Sequence, residues 1–344
     1  MVRRVRFPPR CQGFALAAVL WLMAGLSIVV VLVADAAQAS AERVAQLRER
    51  TEFIRSALSG RAQAQYWLSG ARPRNADFFD GAAVVLADGT PYQTSAISTI
   101  ALQDHGGLID LNSANRDLMA SFLLSCTVPA DKTDALIDAL SDYIDEDNLQ
   151  RLNGAERDTY TAEGKPPPRN SPLLSEAEVW DVYGWAPYRA TFERNGCEQG
   201  FTVYGETTML GSSLNLATAP ASVLRGSGFS EEIILDIVSA RSDPTKIAER
   251  LAQNNALIGA GGLFGGAGSK QVQKVLRVTQ RHTSGPWVMR YTLTLDPDSD
   301  DRPWSISQPY VGAEPVLGSK MDPLPWPNQP PASMPSDVSR FLSF

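Results

Sequence analysis

From Phe14 to Val33 the chain runs for 20 residues without a charge. At about 1.5 Å per residue this makes a helix of roughly 30 Å, enough to cross the hydrocarbon core of a bilayer. A segment of this kind is either removed from the mature chain or becomes its anchor, so it constrains everything downstream. Arg3, Arg4, Arg6 and Arg10 precede it and no acid does, which keeps that end cytoplasmic. Three readings fit. A secretory signal peptide would be cut at "ADA" or "AQA", residues 34–39, although its apolar core is usually only about 7–15 residues long. The second reading is an uncleaved anchor. The third is cleavage before the apolar run, between Gly13 and Phe14.

The residues beyond 33 bear on that choice. Residues 34–70 contain no proline and are rich in good helix formers. Val44, Leu47, Ile54, Leu58, Ala62 and Tyr66 fall on one face at helical spacing, with Arg and Glu on the other. The apolar span and the amphipathic segment therefore read as one helix over 14–69, ended by Gly70 and Pro73. A disposable leader has no need of such a continuation.

A short basic leader ending in Gly13, then Phe14, an apolar helix and an amphipathic one together resemble a type IV pilin or type II secretion pseudopilin precursor. The resemblance implies that a prepilin peptidase cuts after Gly13 and N-methylates Phe14. Most such chains carry Glu at the fifth mature position, where this one has Ala18. The K-type minor pseudopilins resemble it in lacking that Glu. A carboxylate in the bilayer is costly unless paired. A subunit with Ala18 needs no neighbour to neutralise one, which suits the first subunit of a filament.

Residues 70–111 hold short strand-like runs with turns at Asp88–Gly89 and Gly106–Gly107. Residues 271–300 hold more strands, around Ser284–Gly285–Pro286. Between them, 112–270 reads as mainly helical. The expected fold is therefore α+β: a pilin-like N-terminal helix on an antiparallel sheet, with a large inserted α-helical domain. Residues 1–13 form the leader. The segment 301–344, with nine prolines after Arg302, reads as an extended or disordered tail.

The insertion contains a weak repeat, "DLNSANRDLM" (110–119) against "NLATAPASVL" (215–224). Each reads as a buried Leu before a helix cap, at Ser113 and Thr218. The second copy continues through Gly226 and Gly228 into an amphipathic helix and resembles a helix-hairpin-helix module. Such modules bind DNA backbone elsewhere. Here Glu231, Glu232 and Asp236 flank the hairpin and the net charge is −7, so no nucleic acid is expected. "IDLNSAN", "LIDALSDYIDEDNLQRLNGAE", "PRNSPLLSEAEVWDVYGW" and "LNLATAPASVL" also resemble the K-type pseudopilin body, in family order.

Ten acids and three bases lie between 131 and 163. Asp131, Asp134, Asp138, Asp142 and Asp145 share one helix face, opposite Leu136, Leu140, Tyr143 and Ile144. Asp131, Asp134 and Asp138 read as a solvated face. Asp145, Asp147 and Glu156 could gather hard oxygens for Ca²⁺. The EF-hand pattern fails, because Leu149 stands in the third ligand slot. The K-type family resemblance implies a structural calcium ion in the inserted domain.

Removing residues 1–13 takes away Cys11 and leaves Cys126 and Cys197. An oxidising compartment favours a bridge between them; two separate buried thiols is the other outcome. His105 and His282 read as surface residues, and no catalytic motif is present, so no enzyme is expected. "GAGGLFGGAGSK" (259–270) is a connector rather than a phosphate loop.

The resemblance implies a minor pseudopilin of the type II secretion system, capping the pseudopilus tip and helping to initiate its assembly. The chain would span the bacterial inner membrane once, with its C-terminal domain in the periplasm. Its partners would be the I-, J- and H-type minor pseudopilins, the prepilin peptidase and the inner-membrane assembly platform. Secreted substrates and the outer-membrane channel are further expected contacts. The competing readings are an exported helix-hairpin-helix DNA-binding protein of an uptake machinery and a soluble periplasmic hydrolase. The hydrolase would begin near residue 40.

Overall fold

A computed structural model describes residues 12–113, 115–204, 214–258, 271–296, 299, 301–314 and 322–327. Most of the leader (residues 1–11), the connector 259–270 and most of the tail lie outside the described residues. The chain divides into two compact units, residues 1–55 and 56–344.

The long helix forms as its composition dictates. Helix α1 (Gln12–Gly70) covers 59 residues without interruption and ends at Gly70, just before Pro73. In the first unit the apolar run is exposed all round, with Trp21 at 80% and Leu22 at 71%. Among the described residues this is the one helix long and apolar enough to cross a membrane.

In the second unit the last turns of α1 pack on a sheet. Strands β1 (Arg72–Pro73), β2 (Asp77–Asp80) and β3 (Ala83–Leu86) form a small antiparallel sheet. Strands β4 (Asp88–Ser95) and β5 (Ser98–Asp104) begin the main one. Its order is β10-β9-β8-β5-β4-β11, with β8 (Val275–His282), β9 (Trp287–Leu295), β10 (Trp304–Ala313) and β11 (Leu324–Pro325). All neighbours are antiparallel except β11, which runs parallel to β4. Strand β5 alternates strictly: Ser98, Ile100, Leu102 and Asp104 are buried and the residues between are half-exposed. That period-two pattern is what a sheet with one covered face requires.

Small residues let α1 approach. Ala57, Gly60 and Ala64 are buried, and a Cβ on Gly60 would meet Thr94 Oγ1 at 3.0 Å. Ser56 and Ser95 hydroxyls bond at 2.6 Å, and Arg61 lies over the Tyr291 ring at 6.0 Å.

Strands β5 and β8 are hydrogen-bonded neighbours, from Ser98↔His282 to Asp104↔Leu276. Residues 105–274 are therefore inserted between two adjacent strands. The insertion carries β6 (Ile109–Asp110), paired in parallel with β7 (Phe201–Thr202). Its helices are α2 (Arg116–Ser125), α3 (Ala130–Ile144), α4 (Arg157–Ala162), α5 (Arg189–Asn195), α6 (Ala221–Gly226), α7 (Glu231–Ala240) and α8 (Pro244–Ile258). They enclose a core of their own around Phe122, Leu136, Tyr160, Trp185, Phe192 and Phe201. Trp185 donates its indole N–H to Leu136 O at 2.9 Å, which satisfies the one polar atom of that side chain.

The repeat seen in the sequence is a structural one. α2 and α3 form one helix-hairpin-helix unit, and α6 and α7 a second. Val128 N–H reaches Leu123 O at 3.0 Å, and Phe229 N–H reaches Leu224 O at 3.3 Å. The residue before each donor is left-handed: Thr127 (φ 68°) and Gly228 (φ 86°). Both hairpins thus use the same left-handed helix termination. The caps lie two residues beyond those expected. Asn115, not Ser113, caps α2 by accepting from Asp117 N and Leu118 N. Pro220, not Thr218, precedes α6. Ser113 and Thr218 instead bond Asp110 and Asp104.

Three further expectations are corrected. The sheet continues past residue 300, because β10 pairs with β9 from Trp304↔Leu295 to Ala313↔Trp287; the segment from 301 thus begins as a strand rather than as tail. His105 is not a surface residue: it is 1% exposed and packs against Thr202 and Tyr204. Asp138 is not solvated. It is 5% exposed, bonded by Arg116 at 2.7 Å and by Asn153 N and Nδ2 at 3.2 Å.

Candidate metal centre

The acidic face of α3 is satisfied from two sides. Arg116 on α2 bridges Asp134 and Asp138. Burial pushes the Asp138 carboxyl up, but the bonds from Arg116 and Asn153 outweigh it and hold the group below its usual range. One turn on, Asp142 is fully buried and takes Arg151 Nη1 at 2.7 Å. The same nitrogen reaches Asp145 Oδ2 at 2.5 Å. The loop that supplies Arg151 lies so close that a Cβ on Gly154 would come within 1.9 Å of Asp142 Oδ2. Only glycine fits there.

That close wrap brings Glu156 back to the end of α3. Asp145, Asp147 and Glu156 each present a carboxylate oxygen, all within 4.8 Å of one another. Glu156 is 5% exposed, and neither of its oxygens has a hydrogen-bond partner; Asp145 Oδ1 also lacks one. Burial, and then repulsion from Asp142, Asp145 and Asp147, push the Glu156 carboxyl up. Arg151 is a single cation among four carboxylates. Three unpartnered hard oxygens in this setting match what a divalent cation such as Ca²⁺ takes as ligands. A cavity of about 410 Å³ is lined by Asp145 and Arg151 together with Leu111, Met119 and Ile137, and reaches the cluster only at Asp145.

The three candidate ligands are therefore together in space. Asp142 and Arg151 were not singled out in the sequence. The signal for Asp142 was its place in the stripe. For Arg151 it was a lone base inside an acidic run. Cys126 and Cys197 also come together, with sulfurs at 2.09 Å, joining the first hairpin to the segment before β7. Gly13 and Phe14 lie in the first turn of α1.

Asp104 and His105 form a second buried polar group, where the sheet hands the chain to the insertion. Asp104 accepts from Gly106 N, Gln273 N, Asn215 Nδ2 and Thr218 Oγ1 at 2.8–3.0 Å. These partners come from both ends of the insertion, so the carboxylate ties its entry to its exit.

Residues 99–191 match the family model for Type II secretion system (T2SS), protein K. That span starts in β5 and includes both acidic clusters. The fold is similar to that of a chain in the crystal structure of the GspK-GspI-GspJ complex from the enterotoxigenic Escherichia coli Type 2 Secretion System. The two share 16% identity at a TM-score of 0.50, over 79% of this chain and 100% of that one. No curated protein matches the chain. The match to the protein K family model at the sheet–insertion junction and the fold shared with a chain of that complex agree with the motif order along the sequence.

Proposed function

We propose that this chain caps the tip of the pseudopilus and helps to start its assembly, working by subunit contact rather than catalysis. The observation that carries this reading is the insertion of residues 105–274 between neighbouring strands β5 and β8. It adds a second, disulfide-linked core to a pilin body. On this reading the enlarged body would leave no room for a further subunit beyond it in the pseudopilus. Ala18 supports the same position, since a terminal subunit has no neighbour's amine to neutralise a carboxylate. The membrane-length run in α1 supports a single-pass anchor, with the folded unit in the periplasm. Cleavage after Gly13 by a prepilin peptidase and N-methylation of Phe14 belong to this reading.

Minor pseudopilins of the I and J types are the proposed direct partners, because the structurally similar chain was crystallised in a GspK-GspI-GspJ complex. The H type, the assembly platform, secreted substrates and the outer-membrane channel would follow from a tip position. Co-purification of the full chain with I- and J-type subunits in detergent tests this. The expected product is a ternary complex with this chain at one end in electron micrographs. Filaments that continue beyond it would contradict the cap.

The paired helix-hairpin-helix units favour one other reading, DNA binding in an uptake machinery. Salt-sensitive affinity of the full chain for duplex DNA would support that reading over the cap.

The Asp145–Asp147–Glu156 cluster is proposed to hold a structural Ca²⁺ ion. The ion would neutralise the carboxylates and pin the loop 145–156 to α3. Melting in Ca²⁺ against EDTA tests this, with a higher melting temperature expected in Ca²⁺. Equal melting would exclude the site.

A further inference from the structure

Trp326 is 3% exposed, although it lies in the proline-flanked segment Asp322–Pro327. Its ring meets Trp67 on α1 and Tyr92 on β4 edge-to-face, both at centroid distances of 5.8 Å. Trp67 and Tyr92 are each 2% exposed. The indole therefore closes the seam between the last turns of α1 and the outermost full-length strand of the main sheet. Just before it, Leu324 and Pro325 pair in parallel with Tyr92 and Gln93, and Trp326 N–H reaches Gln93 O at 3.2 Å.

The segment is poorly equipped to act as an ordinary strand. Pro323, Pro325 and Pro327 have no N–H to donate. Alternating prolines instead preset an extended backbone, which lowers the entropy lost on docking. The attachment thus depends on one aromatic side chain and very few ladder bonds.

The sheet's two edges explain why such a segment is useful. An open edge strand is a template for pairing with another chain. At the β10 edge the register shifts between Ser307 and Tyr310, with Gln308 left-handed at φ 49° and Pro309 beside it. A bulge of this kind blocks further pairing. Strand β4 also shifts register, between Asp88 and Pro91 and between Gln93 and Ser95, but it pairs in register over the three residues Pro91–Gln93 between the shifts, and β11 sits beside Tyr92 and Gln93 there.

We propose that residues 322–327 are an intramolecular edge clip. Trp326 plugs the seam between α1 and β4, and Leu324–Pro325 close the sheet edge against a strand from another copy of the chain. The groove so filled recognises an extended, proline-flanked tryptophan.

Hydrogen exchange on the full chain in detergent micelles tests the clip. In W326A, the remaining amides of 322–327 should lose at least about tenfold in protection, while β8 and β9 keep theirs. The chain should also self-associate on sedimentation. Should W326A disturb the whole fold, a chain ending at Glu314 decides the matter. A labelled peptide of residues 320–329 should bind that shortened chain but not the intact one, whose groove is filled. The same peptide carrying W326A should bind at least about tenfold more weakly. Equal binding to both chains, binding to neither, or parent 322–327 amides exchanging like a free peptide would overturn the proposal.

Discussion

At the scale of single residues, the acidic loop and the buried histidine make opposite demands on charge. Glu156 is a buried carboxylate without a hydrogen-bond partner, held beside two other acids. If it is a calcium ligand, E156Q removes one of its anionic oxygens and its bidentate capacity. The melting temperature of the variant should then no longer rise with Ca²⁺. For the parent, saturation at about 100 times the dissociation constant stabilises by about 2.7 kcal/mol. Calorimetry of both chains with and without the ion checks this, and an unchanged Ca²⁺ response in E156Q removes Glu156 from the ligand set. His105 behaves differently. Burial, and then repulsion from Arg277, hold its imidazole well below its ordinary value of 6.5. The unfolded chain therefore takes up the proton first, and the folded state loses stability as pH falls below about 6.5. The slope is at most about 1.4 kcal/mol per pH unit. Burial raises the neighbouring Asp104 carboxyl, whose contribution runs the other way, being lost as pH rises above its ordinary range. H105Q should flatten the decline below pH 6.5 relative to the parent in denaturant titrations; an unchanged slope would show that the imidazole does not couple to folding. That Asp145, Asp147 and Glu156 come together was legible because all three are acids in one short stretch at the end of the α3 acidic stripe. The environment of His105 was not, because Thr202 and Arg277 are far away in sequence and a Gly-Gly turn reads as solvated.

At the scale of elements, the two helix-hairpin-helix units offer an internal control. The same terminating position holds Thr127 in one hairpin and Gly228 in the other, both left-handed. A Cβ on Gly228 would meet nothing within 4 Å, so G228A tests backbone strain alone. The left-handed penalty of about 1–2 kcal/mol, less the unfolded-state gain, predicts a loss of about 1 kcal/mol. T127G should move stability the other way by up to about 1 kcal/mol, and chemical denaturation measures both. Changes of the same sign in the two variants would refute the equivalence of the hairpins. The Cys126–Cys197 bridge spans 71 residues. On the chain-entropy account its removal by C126S/C197S costs about 4 kcal/mol, and a change below about 1 kcal/mol would show that the insertion's core is sufficient without it. The hairpins were visible in sequence through their repeated Leu and polar first turn. The caps shifted by two residues, because Ser113 and Thr218 found acidic partners that no local pattern reveals. Strand β10 was hidden by Pro309, which a strand tolerates only at an edge or a bulge, and both apply here.

At the scale of the whole molecule, the sequence specified the fold class because its periodicity changes type at each boundary. Helical spacing gives way to alternation near residue 70, returns in the insertion and changes again at Val275. The adjacency of β5 and β8 could not be read directly, since it depends on pairing across residues 105–274. It follows only from the idea of a split sheet. The proposed K-type role would add what the folded unit alone cannot supply, a membrane-retained helix in the mature chain. The central claim is that this chain is a processed pseudopilin subunit. It is tested most directly by mass spectrometry of the mature chain's N-terminus, extracted from membranes of cells that contain a prepilin peptidase. The account predicts an N-methylated Phe14 with α1 intact. A mature chain starting near residue 40, with the apolar run lost, would contradict it.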